Sequence, residues 1–465
     1  VPARAPLEDA WQALAGESAG ELEVSGAAPS LDTPYALGEI ATAAVGAALL
    51  AAAELAEARG GPRPSVGIER ADAIRAFTSE RRLRLASLGG GARSGFAPLS
   101  RFAASADGHI RLHANYPHHR AALLRALGAP DDDEAALAAV RTRGAVELES
   151  AIVAAGGAAA AVRSAEQWRA HEQGEALAGL VLLDLDRGEA RASAPPLRAR
   201  GPLPCSGIRV LDLTRVIAGP VGTRMLAALG AEVLRIDPPH VPELEPAHLD
   251  GAVGKRSAYL DLRADADREL FERLLSGADV LVTGYRPGAL DAFGIDACTL
   301  AQRHPQLITV TLSAWGHVGP WAGRRGFDSL VQAACGIATA CGSERQPGAL
   351  PFQALDHASG YLIAAAAMRG LTLRAREGRA AHARLALART AAWVMAHAAA
   401  DETGGPEPAD RSGDANEQDL VSVSSPSGRL LCVAPPGSID GTRLSWPMGV
   451  PAPGGDEPRW QRASM

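Results

Sequence analysis

Lysine is almost missing from this chain of 465 residues: Lys255 is the only one, against 45 arginines. Aromatic residues make up only 4%, so the core cannot be built around large rings. Alanine, with 97 residues, supplies much of the 47% apolar content, which suits helices lying close on a sheet. A clustered positive excess is also missing. Forty-six basic residues against 53 acidic ones leave a net charge of −7, which argues against a protein that coats nucleic acid. The five cysteines (Cys205, Cys298, Cys335, Cys341 and Cys432) are odd in number and scattered. With no CxxC pair and no Cys/His ligand set, neither a disulfide framework nor a structural zinc site is supported. The longest apolar stretch, 36–58, is interrupted by Glu39, Glu54 and Glu57 and is apolar mostly through alanine, too weakly to span a bilayer. The opening VPARAPLEDAW lacks the basic and apolar regions of a signal peptide. A soluble cytoplasmic protein is the expectation.

What is present divides the chain into four regions. Residues 1–30 read as a leader or a loose first helix. In 31–200, helices are predicted over 36–58, 71–86, 118–128 and 134–155, with strands at SVGI (65–68) and HIRLHA (109–114) and a linker over 186–206. From 201 to 400 the texture changes. The runs IRVLDL, EVLRID, SAYLDL, DVLVTG and LITVTLSAW alternate with helical segments, the pattern of a parallel, doubly wound α/β sheet. A helix at 358–373 and the strand RLALA at 384–388 follow. Residues 401–465 are rich in Pro and Gly, with one clear strand, GRLLCVA. An internal echo crosses these regions. The segment from Tyr361 onward matches the segment from Glu39 at an offset of about 319 residues. The turn-plus-strand pair at Asp107-Gly108 and Ser427-Gly428 repeats at an offset of 320. We read a duplicated half-domain on either side of the parallel sheet.

The turn Gly219-Pro220-Val221-Gly222 after the first core strand leaves backbone N–H groups for an anionic phosphate. Asp237 ends the next strand, as in dinucleotide-binding units, but the G-x-G-x-x-G spacing is absent, which counts against a NAD enzyme.

Five blocks in this order resemble the family III CoA-transferases, the group that includes formyl-CoA and carnitine CoA-transferases and the α-methylacyl-CoA racemases. They are SGIRVLDLTRVIAGPVGTRMLAALGAEVLRIDPP, GKRSAYLDLR, ADVLVTGYRPGALDAFGI, LSAWGHVGPWAGRRGFDSLVQAACGI and ALDHASGYLIAAAAM, together covering roughly 203–400. In the N-terminal region, SLGGGARSGFAPLSRFAASADGHIRLHANY resembles the glycine loop and small-domain strand of the family. The chain thus resembles a permuted or partly duplicated unit: a Rossmann-like CoA-binding core with a smaller α+β domain.

The resemblance implies an enzyme that moves CoA from an acyl-CoA to a carboxylic acid through an aspartyl covalent intermediate. No permanently bound cofactor, metal, nucleic acid or membrane partner is implied, and the expected assembly is a homodimer, possibly interlocked. Asp356 is the implied nucleophile, against a plain helix-capping role; Leu37 stands near its position in the N-terminal copy, which should carry no second nucleophile. Gly89, Gly90 and Gly91 match the loop that covers the intermediate. Arg215, Val216, Ala218, Lys255, Arg256 and Tyr285 fall on the CoA contacts, with the three cations facing phosphates. Ile217, Gly284 and Ala292 depart from the residues common there. Asp328 is the competing acid. Racemases of the family carry a His just before it, where this chain has Phe327, which moves the expectation from racemase towards transferase, with His357 weighed as a substitute. A non-catalytic CoA-thioester binder is the alternative from another class. The trio His113, His118 and His119 lacks a flanking acid, so a solvated helix start is expected there, not a metal site.

Overall fold

The computed structural model describes residues 4–16, 20–27, 29, 31–85, 95–190, 197, 200–399 and 419–461. Its centre is a seven-stranded sheet. In chain order the strands are β1 (Leu183–Ala190), β2 (Arg209–Leu213), β3 (Glu232–Asp237), β4 (Arg256–Tyr259), β5 (Val280–Thr283), β6 (Ile308–Ser313) and β7 (Arg379–Ala386). Side by side they run β4-β3-β2-β5-β6-β7-β1. All neighbours are parallel except β1, which is antiparallel to β7. The chain winds outward from β2 to β4, then crosses back to β5 and winds the other way. That reversal opens a crevice at the carboxyl ends of β2 and β5, where open parallel sheets bind their ligands.

Four helices position the site: α1 (Leu37–Ala58), α2 (Ala218–Ala228), α3 (Asp328–Cys335) and α4 (Ala354–Glu377). Every residue of α4 from Ala354 to Leu373 is buried, the polar Asp356, His357 and Arg369 included. It packs against both α1 and α2. Small residues allow the close approach. A Cβ at Gly360 would stand 2.6 Å from the Ala218 carbonyl oxygen, and one at Gly222 would stand 2.6 Å from that of Gly360. Gly360→Val is therefore expected to lower stability by about 1–3 kcal/mol through overpacking, read as a lower midpoint in thermal or urea melts. By length and composition α1 is apolar enough to cross a membrane, but 89% of its most apolar stretch is buried within the protein. Glu54, one of the acids interrupting it, is bound by Arg369 and Arg376 of α4.

The elements do not respect the divisions expected at residues 30, 200 and 400. The opening segment forms a helix, Pro6–Ala13, with Ala10, Trp11 and Leu14 buried. Part of the predicted linker is β1, the edge strand of the central sheet. The C-terminal hairpin of Leu420–Ser425 and Gly428–Val433 adds Arg84–Leu85 as a third strand, and Ser438–Ile439 pairs with Val66 and Gly67. The predicted helix over 71–86 stops at Ala76, followed by a single turn at Ser79–Arg81. The one predicted over 134–155 is two helices, Asp133–Val140 and Ala145–Ala154, with Gly144 capping the second. A Cβ on Gly144 would lie 2.7 Å from the Asp107 carboxylate. The echoed helices, α1 and α4, pack against each other, and both echoed strands are the second strand of an antiparallel hairpin.

Candidate active site

Asp356 is the third residue of α4 and is only 8% exposed. Its backbone N–H donates to Asp328 Oδ2 at 2.9 Å. Asp328 opens α3 and is itself buried, its other oxygen accepting from the Gln332 amide. Two helix N-termini are thereby tied together through one carboxylate. Burial raises Asp328 to about 6, against the hydrogen bonds from Asp356 and Gln332 that favour its ionised form. Asp356 is raised well above the usual carboxylate range, by burial first and then by the negative charges of Asp328 and Glu80. Two acids in one buried space each disfavour the other's ionisation.

Glu80 comes from the N-terminal lobe. Its Oε2 lies 2.9 Å from Nε2 of the fully buried His357. Burial would raise Glu80, but the charge and hydrogen bond of His357, joined by Arg81, overcome it and hold the carboxyl below its ordinary value.

A cavity of about 330 Å³ opens beside Asp356 at the crevice. The loop after β2 supplies Arg215, Val216, Ile217 and Ala218, and the loop after β5 supplies Gly284, Tyr285 and Arg286. The N-terminal lobe adds Tyr116, His118 and His119, while Arg324, Arg325 and Phe327 close the side before α3. Val216 has a φ of 66°, a left-handed conformation rare for a β-branched residue and a form of strain found at functional sites. Its N–H donates to Glu243 Oε2 at 3.0 Å. Glu243 also accepts from Tyr116 Oη at 2.6 Å and pairs with Arg235 at 3.1 Å and Arg215 at 3.4 Å. Burial would raise Glu243, but Arg215 and Arg235 bring it down to about 2. The charge of Arg215 is thus already balanced. Arg286 and Arg325, by contrast, meet no carboxylate at ion-pair distance among the described residues, and burial together with the charge of Arg286 lowers the pKa of Arg325. Arg324 lies over the Trp321 ring, 4.3 Å from its centroid.

One cavity therefore brings together Asp356, Arg215, Val216, Ala218 and Tyr285. The other two expected cations lie elsewhere. Lys255 is fully buried beneath the sheet's crossover, its Nζ donating to Asp212 Oδ2 at 2.8 Å, Thr223 Oγ1 at 2.6 Å and the Pro220 carbonyl at 3.0 Å. With three oxygens around it, the ammonium is not offered to a phosphate. Burial lowers Lys255 to about 8 despite Asp212 beside it. At Asp212, burial is outweighed by Lys255 and Arg235, which hold it below the usual range. The Arg256 guanidinium binds the carbonyls of Arg459 at 2.6 Å and Glu457 at 2.9 Å, fastening the C-terminal segment to the edge of the sheet. Gly89, Gly90 and Gly91 lie outside the described residues.

Two local expectations are also corrected. Gly219 to Gly222 do not form a turn; they lie within α2, which begins at Ala218. Of the three histidines, His118 is exposed at the start of the helix Pro117–Leu127 as expected, but the other two are not solvated. His113 and His119 are buried, and His113 stacks on Phe327 with centroids 3.6 Å apart. Burial lowers both to about 3, so they are neutral. No cluster that could hold a metal is found among the described residues. Sequence reasoning missed Glu80, Tyr116, Glu243, Arg286, Arg324 and Arg325. Arg286 had a signal, since it stands inside the YRPG block, and so did the adjacent Arg324-Arg325. Glu80, one acid in the charged run SERRLR, had none.

A wound parallel sheet, a buried carboxylate pair at its crevice and arginines at the rim define an α/β site that sets two acids beside positive charge. Over residues 205–425 the chain matches the model of CoA-transferase family III. Among curated relatives, it is 33% identical over 230 residues to the "Probable fatty acyl-CoA transferase Rv3272" of Mycobacterium tuberculosis (strain ATCC 25618 / H37Rv), covering 45% of this chain and 58% of that one. It is 34% identical over 200 residues to the "Acetyl-CoA:oxalate CoA-transferase" of Acetobacter aceti, covering 40% of this chain and 51% of the relative. The orthorhombic crystal structure of Rv3272 aligns at 35% identity and a TM-score of 0.38, over 41% of this chain and 56% of that one. The chain spans about half the length of the curated relatives it matches.

Proposed function

We propose that the protein is a CoA-transferase that moves CoA from an acyl-CoA thioester to a carboxylic acid, with Asp356 as nucleophile. The observation that supports this is the single cavity shared by Asp356 and four of the expected CoA contacts. The order of the parallel strands, with its crevice at the reversal, supports a Rossmann-like CoA-binding core. In the first step an ionised Asp356 oxygen attacks the thioester carbonyl carbon. The C–S bond breaks and CoA leaves as a thiolate, giving an acyl–aspartyl anhydride. The thiolate then attacks Asp356 Cγ, releasing the donor acid and leaving an aspartyl-CoA thioester. An acceptor carboxylate repeats the sequence in reverse, and the new acyl-CoA departs from a regenerated Asp356. Glycines 89–91 are proposed as the loop that covers the intermediate. Phe327, stacked on His113, offers an apolar ring and no base, which favours transfer over racemisation.

Arg286 and Arg325 are proposed to take the CoA phosphates, because their charges meet no carboxylate at ion-pair distance among the described residues. Charge-assisted hydrogen bonds contribute about 1.5–3 kcal/mol each. Either alanine variant is therefore expected to raise KM for acyl-CoA by about ten- to a hundredfold with little change in kcat, measured by steady-state kinetics. The reading itself is tested by intact-mass analysis against an acyl-CoA panel, followed by hydroxylamine trapping at Asp356. Binding without an adduct or turnover would identify a non-catalytic binder instead. A homodimer is the assembly proposed, to be checked by light scattering.

A further inference from the structure

A short segment of the N-terminal lobe grips the start of α4 on both sides of Asp356. Phe77, fully buried, stacks on His357 at 5.4 Å and on Tyr361 at 5.8 Å, and meets Phe352 edge-on at 5.9 Å. Arg81 donates to the Pro351 carbonyl. Ser79 Oγ anchors the segment to the core, 3.1 Å from Asp250 Oδ2 and 2.8 Å from the Arg224 guanidinium. Between these anchors, Glu80 makes the one hydrogen bond to the His357 side chain among the described residues, where His357 Nδ1 is buried without a partner. The ring next in sequence to the proposed nucleophile is thus oriented by a carboxylate from the other lobe.

We propose that Glu80 is a positioning residue for Asp356, acting through His357 and through its own negative charge. The inference rests on the reading of Asp356 as nucleophile. It makes the N-terminal lobe part of the reacting centre, although the lobe carries no nucleophile itself. Among the described residues, the charged and titratable groups around Asp356 are Asp328 from α3, Glu80 and Arg81 from the lobe, and His357 on α4, with the arginine rim across the cavity. A negative neighbour disfavours a second negative charge, so Glu80 keeps Asp356 protonated to higher pH, and His357 sustains that effect by keeping Glu80 ionised.

The test follows the Asp356 carboxyl carbon by NMR in protein labelled with [γ-¹³C]aspartate, its signal assigned by loss in Asp356→Asn. In Glu80→Gln the titration midpoint is expected to fall by about one pH unit, and the acid limb of adduct formation should fall with it. Glu80→Asp, which keeps the charge, should restore the midpoint. If Glu80→Gln does not fold, His357→Asn serves: without the His357 charge and hydrogen bond, burial neutralises Glu80, so the midpoint should again fall. A slower rate with an unmoved midpoint in these variants would reduce Glu80 to a structural contact and overturn the proposal. The titration needs no turnover. A shifted midpoint without any adduct would therefore uphold the coupling and sink the nucleophile reading, while an adduct with an unmoved midpoint would do the opposite.

Discussion

Asp356→Ala is expected to abolish the covalent adduct and to lower transfer by about a thousandfold or more, because removal of a nucleophile leaves only binding and polarisation. The protein should keep its affinity for acyl-CoA, since the arginines at the rim and the loops after β2 and β5 are untouched. Its thermal midpoint should hold or rise. Asp356 is a buried acid beside Asp328 and Glu80, raised well above the ordinary carboxylate range, so the folded state bears the strain of crowding three acids together. Intact mass, calorimetric binding and a thermal melt check the three outcomes. Full transfer activity in the variant would refute the nucleophile assignment. In the unaltered protein, adduct formation should increase with pH as Asp356 loses its proton, with an acid limb above the ordinary carboxylate value of about 4.

The second large effect falls on stability. Lys255→Met leaves Asp212 as a buried charge without its cation, at an expected cost of about 3–5 kcal/mol. The double change Lys255→Met with Asp212→Leu should recover most of this, because apolar residues of similar volume often replace a buried ion pair at no loss. Lys255→Arg is expected to lose about 1–3 kcal/mol, since a planar guanidinium must fit where a compact ammonium meets three oxygens. Urea melts measure each loss, and acyl-CoA affinity should be unchanged in every variant that folds. A drop in affinity with unchanged stability would return Lys255 to a ligand-binding role. The single lysine thus stands where a compact ammonium meets three oxygens, whereas arginine fills other buried pairs such as Arg224–Asp250 and Arg235–Asp237.

Much of the central sheet was legible because parallel strands buried on both faces read as largely apolar runs. IRVLDL, EVLRID and DVLVTG all form strands. The edge strand β1 was not, because its text, LDLDRGEA, is half charged and pairs on one side only. The helix break at Gly144 was hidden because its cause, the Asp107 carboxylate, lies 37 positions earlier in the chain. Asp356 was found through resemblance, since as text it is one acid at a helix start. Lys255 and Arg256 were misjudged for a different reason. Their block is legible, but which way each side chain points depends on the crossover above and on the C-terminal segment beside it. Glu80 is the clearest limit, because its meaning comes from a partner far along the chain, at His357.

The edge of the central sheet has a consequence for how the protein is made. The strand Leu183–Ala190 finds its partner only in Arg379–Ala386, with Leu183 opposite Leu385. On the ribosome, at roughly 5–20 residues per second, some 200 residues must be added before that partner exists. For on the order of ten to forty seconds the nascent chain carries a finished but unpaired strand, and its alternating acids are then its own protection against joining a stranger's edge.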